Sequence, residues 1–426
     1  MIEEMSEVET NKDYSKDKTF IKYIFLIFGI GGMLVWNAIL SNFDFFNDYF
    51  KDPVPPVKIE VMYPFMNFLL NIPFQLVLVC KPKFMSYKIQ LLFTLFISMI
   101  SLVFLPISVI YTSSTLGYIL SNIVVLILGF INAVCLSSFF GLSSYFPMEN
   151  IVMMSTGQGL SGILINIIKI LTLAILDQSN QHVLGNWIFF SFSFFIMFVS
   201  IIAVLLAYKN PYFLDVLKNT DENQDRQLIV EIEKNFPLIE EKEMKGDKKV
   251  SEVGSFLDLI KKIIDINLVL FSVSTVSLTV FPAGCLTPHL FYLQIQWKSI
   301  IIITIFNVCD TLGRNLCGFF EPKKNVLYTI GLSRILFVIL IPLNVYLDEQ
   351  GYIKFSSVFL LINTIVLGIT HGFCTSLAFS LAPLFVEDKL KGRAGSSVSL
   401  FLVSGIFTGT CCAFIMDVII TAIQKK

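Results

Sequence analysis

Asp310 and Arg314 stand four residues apart in the apolar run Phe306-Asn307-Val308-Cys309-Asp310-Thr311-Leu312-Gly313-Arg314. On a helix this spacing puts a carboxylate and a guanidinium on one face, within pairing distance. A lone charge at bilayer depth costs roughly 3 kcal/mol or more, whereas a pair beside a watery cavity costs much less. Two readings stay open: a structural ion pair that fixes helix packing, and a clamp on the path of a polar solute.

Other polar side chains interrupt other apolar runs: Trp36 and Asn37 in the first, Gln158 in the fifth, Asn307 beside the charge pair. An aromatic face, amides and a carboxylate–guanidinium pair suit a neutral, polyhydroxylated ligand with a flat ring. The ring stacks on Trp36. Hydroxyls donate to Asp310 and accept from Arg314. Each residue also has a plainer role: Trp36 as a packing aromatic, Asn37 and Asn307 as ties between helices. Arg334 is expected to snorkel or to brace a gate, and Lys169 to snorkel or to line the cavity.

Several chemistries lack their residues. There is no G-x-x-x-x-G-K-[ST] loop to drive ATP-dependent pumping. His182, His289 and His371 form no His-x-x-x-His zinc pair, and no nucleophile elbow occurs. No enzyme, metal or cofactor is called for. A net charge of −1 gives no reason to expect nucleic acid as a partner. Cys80, Cys135, Cys285, Cys309, Cys317, Cys374, Cys411 and Cys412 lie in or beside apolar runs and read as free thiols.

The elements that must position these residues follow from composition. Of 426 residues 55% are hydrophobic and only 15% charged, well below the charged share of a soluble domain. The apolar residues fall in long runs between short polar breaks, the pattern of an all-α polytopic membrane protein. Eleven spans are expected, at about 20–40, 60–80, 87–111, 115–140, 151–176, 187–208, 263–288, 298–320, 326–347, 355–383 and 393–420. With the N-terminus in the cytoplasm, the inner side carries 22 Lys and Arg against 6 outside, the orientation the positive-inside rule favours. An odd span count then puts the C-terminus outside.

The expected organisation is a cytoplasmic tail 1–19, a bundle of six helices over 20–208, a cytoplasmic loop 209–262, and five helices over 263–426. The loop carries 10 basic and 12 acidic residues, and Leu228-Ile229-Val230-Glu231-Ile232 within it suits a short amphipathic helix. Six spans, a charged loop and five more spans is how two-bundle secondary transporters look. Pro64, Pro73, Pro106, Pro282, Pro288, Pro342 and Pro383 are expected to interrupt spans. Ser155-Thr156-Gly157-Gln158-Gly159-Leu160-Ser161-Gly162 gathers small residues that let helix backbones touch.

Taken in order, these residues resemble the equilibrative nucleoside transporters along nearly the whole chain. The run Phe306-Asn307-x-x-Asp310-x-x-Gly313-Arg314 looks like that family's signature, and Trp36-Asn37 matches its first span. Phe140-Gly141-Leu142, Pro147 and Ser155-x-Gly157-Gln158-Gly159-Leu160-x-Gly162 are similar to its fourth and fifth spans. Phe281-Pro282, Arg334-x-x-Phe337, Gly372-Phe373, Pro383 and Ala394-Gly395 match later ones. The resemblance implies a major-facilitator-like 6+5 fold and facilitated diffusion of nucleosides, with nucleobases as a further class, across a plasma membrane. It makes Asp310 and Arg314 the ribose-binding pair and Trp36 the base-stacking aromatic. Asn307 and Gln158 join them at the site. Asn37, Gly157, Gly159, Pro282, Arg334 and Pro383 are expected to serve packing or gating. The expected partners are nucleosides or nucleobases and the lipid bilayer, and a single chain is expected to suffice.

One departure bears on selectivity. Many members carry a base-reading glutamine on the fourth span, where this chain has Leu136. Asn132, about one turn earlier, or Ser137 and Ser138 are the candidates to replace it. Two rival functions stay open: a carrier of the same fold that couples cargo to protons through Asp310, Lys169 or Glu149, and a membrane receptor or scaffold acting through the 209–262 loop.

Overall fold

The computed structural model describes residues 14–50, 59–80, 85–176, 182–219, 244–293 and 295–424. The amphipathic segment expected at Leu228–Ile232 lies outside them. All regular structure among the described residues is helical. Eleven helices are long and apolar enough to cross a membrane. They are α1 (Ser15–Leu40), α2 (Ile59–Cys80), α3 (Tyr87–Ile110), α4 (Ser114–Ser143), α5 (Met148–Leu176), α6 (His182–Ala207), α7 (Met244–Val280), α8 (Ile295–Leu316), α9 (Lys324–Glu349), α10 (Ile353–Leu381) and α11 (Lys391–Gln424). The protein is a multi-pass membrane protein.

The amphipathicity is inverted relative to a soluble bundle. On α3, Gln90, Thr94, Ser98, Ser101 and Ser108 are buried, whereas Ile89, Phe93, Phe96, Ile100 and Phe104 are exposed. The exposed set recurs every three or four residues, a stripe suited to lipid contact, because lipid tails are as apolar as the side chains facing them. The buried hydroxyls are satisfied within the helix: Thr94 donates to Gln90 O at 2.8 Å and Ser101 to Ile97 O at 2.9 Å.

The helices pack as two related sets. In the first, α1 lies along α5 and α2 along α4; in the second, α7 lies along α11 and α8 along α10. Adding six to each number of the first set gives the second. The contacts between sets obey the same rule, α5 meeting α8 and α11 meeting α2. This is the internal repeat of a major-facilitator fold, visible in packing although no close repeat is visible in the residues.

Glycines set the closest approaches. A Cβ on Gly157 would stand 2.0 Å from Leu26 O, and one on Gly372 would stand 1.9 Å from Asp310 O. Without side chains at these points the α1–α5 and α8–α10 backbones touch.

Some boundaries differ from expectation. α7 begins at Met244, well inside the stretch expected as a loop, because a polar stretch that carries five lysines over 244–262 can be helical without being apolar. Residues 211–219 are helical too, and Tyr212 and Phe213 are buried in the core. Phe213 stacks on Phe146 with centroids 5.0 Å apart. The Tyr14 hydroxyl donates to Asp215, which holds its phenol above the usual value. Pro64, Pro73, Pro106 and Pro342 sit inside helices that continue past them. Pro282 instead follows the end of α7, and Pro383 lies in the 3-10 turn Ala382–Phe385 that closes α10. The 3-10 turn Arg334–Leu336 divides α9.

Candidate functional site

The charge pair forms as its spacing requires. Arg314 Nε donates to Asp310 Oδ2 at 2.7 Å, and both residues are 6% exposed. The guanidinium then reaches across to the other helix set. Its Nη1 donates to Ser155 Oγ and Gln158 Oε1, each at 3.1 Å, and to Ser155 O at 3.3 Å. The remaining carboxylate oxygen, Asp310 Oδ1, lies 2.7 Å from Nδ1 of His371 on α10. One buried cluster therefore joins α5, α8 and α10.

α5 and α8 come this close because small residues line the seam. A Cβ on Gly159 would stand 2.5 Å from Thr311 Oγ1, and one on Gly162 would stand 2.8 Å from Asn307 Nδ2. Asn307 is thus seated against α5, and its carbonyl accepts from Thr311 Oγ1 at 2.7 Å. The seam extends to α1, where Asn37 Nδ2 donates to Ser161 Oγ at 2.6 Å and Ser161 donates to Gln158 O at 2.6 Å.

An aromatic chain crosses between the sets on another side. Trp36 meets Phe68 edge-on with centroids 6.1 Å apart, and Phe68 lies 5.7 Å from Phe407 of α11. Trp36 is only partly buried.

Contacts between the sets also gather at the end where α1 begins. Phe140 of α4 and Phe379 of α10 stack with centroids 3.4 Å apart and planes 8° from parallel. Arg393 Nε donates to Val79 O at 3.1 Å and its Nη2 to Cys80 O at 2.8 Å. These are terminal carbonyls of α2, which lack partners within the helix and welcome a cation. Ser396 donates to Ser137 O and Ser399 to Gln75 Oε1, each at 3.0 Å. A carrier that exposes its site alternately to the two sides has to open and remake such contacts.

The structure thus brings together Asp310, Arg314, Gln158 and Asn307, links Asn37 to them through Ser161, and leaves other candidates elsewhere. Leu136 is 3% exposed and packs in the apolar core. Asn132 faces α2, donating to Asn67 Oδ1 at 3.0 Å. Arg334 does not snorkel. It is 1% exposed, its Nη2 donates to Ser277 Oγ at 2.6 Å and its Nη1 to Leu367 O at 2.8 Å and to Thr370. It braces α7, α9 and α10 from inside. Lys169 is buried as well, with Nζ donating to Asn42 Oδ1 at 2.8 Å.

His371 is the site residue that sequence reasoning missed. It shares no zinc-ligand spacing with another histidine, yet a histidine in an apolar span calls for a partner as much as Asp310 does. Among the described residues no group of three or more His, Cys, Asp or Glu is placed to hold a metal ion. A groove of about 620 Å³ between α8, α9 and α10 is lined by Phe319, Phe320, Phe373 and neighbours. Phe319 and Phe320 are 78% and 60% exposed there and Glu321 and Lys323 also line it, so this groove lies at the surface, apart from the charge pair.

The likeness to known proteins extends over the same elements. The chain overlays the major facilitator superfamily proton:xylose symporter XylE with a TM-score of 0.64 at 10% identity, covering 94% of this chain and 88% of that one. It overlays the major facilitator superfamily transporter FucP with a TM-score of 0.53 at 13% identity, covering 95% and 97%. At such identities these likenesses show the fold. In sequence it is similar to equilibrative nucleotide transporter 1 of Arabidopsis thaliana, 24% identical over 96% of this chain and 88% of the relative. It is also similar to equilibrative nucleoside transporter 1 of Rattus norvegicus, 21% identical over 93% and 96%. The family model described as nucleoside transporter matches residues 120–418, a stretch that holds Gln158, Asp310, Arg314 and His371, and the chain belongs to that family.

Proposed function

We propose that this protein carries nucleosides down their gradient by alternating access, with Asp310 and Arg314 holding the ribose. The observation that carries the reading is the reach of Arg314 across the seam. Arg314 bonds Ser155 and Gln158 there, so those bonds lie where a parting of α5 and α8 opens them. When α5 and α8 part, those donor valences are released to a solute, and sugar hydroxyls match them. Trp36 supplies the stacking face for the base. Gly157 and Gly159 keep the packing around the site close. Pro282 and Pro383, at the ends of α7 and α10, serve as flexing points, and Arg334 braces the second set.

Leu136 and its apolar surroundings offer no amide for reading a base. An apolar pocket discriminates by size alone, worth about 1–3 kcal/mol per methylene. Adenosine and inosine, whose bases are of like size, are therefore expected to compete for uptake of labelled adenosine within about tenfold of one another. Free bases, which lack a ribose for the charge pair, are expected to compete more than about tenfold more weakly. Bases competing as well as nucleosides would move the charge pair away from the sugar.

The proposed location is the plasma membrane, with the N-terminus cytoplasmic and the C-terminus outside, an orientation supported by 22 basic residues on one side against 6 on the other. One chain contains both sets of helices and the seam between them, so a monomer suffices for the cycle. The His371–Asp310 contact favours one second reading, in which cargo moves with a proton.

A further inference from the structure

Residues 282–293, between α7 and α8, form a strap tied to the adjoining ends of α9 and α10. His289 donates twice to Asp348 Oδ2, from its backbone N at 3.0 Å and from ring Nδ1 at 2.8 Å. A carboxylate only accepts, so Nδ1 carries the proton between them. Two residues on, Phe291 N donates to Ser357 Oγ at 2.6 Å, and that Oγ lies 3.2 Å from His289 O. Phe291 takes a φ of 51°, a costly conformation for a bulky side chain. Such a backbone persists only where its surroundings impose it, and here the anchors Asp348 and Ser357 do so.

The Asp348 anchor is open to protons on one side only. The His289 side chain is 67% exposed and the Asp348 side chain 4% exposed. Asp348 Oδ1 is buried without a partner, so part of the carboxylate charge goes uncompensated. A neutral His289 ring gives Asp348 one hydrogen bond, and a protonated ring gives the same bond with a charge behind it, the stronger kind. From α8, Lys298 is also set against this corner: its Nζ donates to Pro288 O at 3.2 Å and its charge acts on Asp348. From α10 comes Ser357, which does not titrate, while Glu349 and Lys354 are exposed on the neighbouring helix ends. Among these side-chain types only histidine ordinarily changes charge between about pH 5 and 8.

The strap also leads to the charge pair. Leu290 is 3% exposed in the apolar cluster that holds Phe281 and Phe306. Phe281, at the root of the strap, stacks on Phe306 with centroids 4.0 Å apart, and Phe306 stands one turn before Asp310 on α8. Contacts between the helix sets gather at the end where α1 begins, so the opposite end, where the strap lies, is the one that closes next. A strap pinned to α9 and α10 resists that closure.

We propose that His289 and Asp348 form a proton-operated latch on the outer face: protonation of His289 tightens the strap and slows the carrier. The proton is a regulatory ligand here and does not travel with the cargo. The inference rests on the nucleoside reading above only for the cargo that reports the rate.

The test is exchange of labelled adenosine in proteoliposomes with equal adenosine and equal pH on both sides, so that no gradient drives it. Wild type is expected to exchange about threefold or more slower at about pH 5.5 than at about pH 7.5. His289→Gln, neutral throughout, should be fast at both values, and His289→Lys, charged throughout, should be slow at both. Backbone hydrogen exchange over residues 283–293 of purified protein, corrected for the intrinsic effect of pH, reads the strap without any cargo. Protection should rise at the lower pH in wild type and be independent of pH in both variants. Equal corrected protection at the two pH values in wild type overturns the latch, and so does a wild-type pH response in His289→Gln. Protection that varies with pH beside a constant adenosine exchange rate overturns its control of transport. If no nucleoside is exchanged at either pH, the nucleoside reading falls and the strap's protection alone decides the latch.

Discussion

Arg314→Ala is expected to lower nucleoside uptake by at least about a hundredfold at equal surface abundance. Removing one partner of a buried ion pair strands the other, at a cost of about 3–5 kcal/mol. Here the loss falls on Asp310, and it also removes the bonds to Ser155 and Gln158 that join the two helix sets. Arg314→Lys should not restore uptake, because one ammonium cannot reproduce a planar fork that serves the carboxylate and two residues of α5 together. The decisive companion is the double variant Asp310→Asn with Arg314→Gln. It removes both charges, so neither is left stranded and part of the lost stability should return. If the pair is a clamp for ribose, uptake stays lost. If it were only a structural tie, uptake would recover with stability. Uptake per surface molecule, read beside the melting midpoint of detergent-purified protein, separates the two.

Gly372→Ala is expected to do comparable damage from outside the charge pair. The added methyl would stand 1.9 Å from Asp310 O and 2.9 Å from Arg314 N, and both are backbone atoms that cannot rotate aside. α8 and α10 must separate, at a cost of about 1–3 kcal/mol or more for overpacking. The separation also pulls His371 away from Asp310. Lower folded yield, a lower melting midpoint and uptake reduced by more than about tenfold should appear together. Gly318→Ala is the matched control. A Cβ there meets only Val152 Cγ1, at 3.2 Å, and a side-chain methyl can give way. Thermal melting followed by size-exclusion chromatography ranks the two variants, and equal midpoints would contradict the backbone-contact account.

Much of this was legible in the residues. Eleven long apolar runs announce eleven helices, since only a helix satisfies its own backbone in lipid. The i, i+4 spacing of Asp310 and Arg314 announces their bond for the same local reason. Contacts between distant elements were less legible. Gln158 is expected at the site, but nothing near Arg314 in sequence points to Ser155 beside it, and both reach Arg314 because glycines let α5 approach α8. His371 was hidden by its neighbours, which are apolar or small and carry no ligand spacing. Arg334, near a span end, is expected to snorkel or to brace a gate. The 3-10 turn at Arg334–Leu336 and the acceptors Ser277 and Leu367 hold it inside instead. The helical start of α7 at Met244 is not legible in hydropathy, which reports membrane and not helix.

The central claim is passive nucleoside transport, and uptake of labelled adenosine and uridine in cells lacking their own carriers tests it most directly. The account predicts saturable uptake that levels off at equal concentrations inside and out and does not respond to a protonophore. Accumulation above that level that collapses with the protonophore would contradict passive transport and favour proton coupling through Asp310 and His371. Absence of uptake of either nucleoside, with the protein at the cell surface, would contradict the account as a whole.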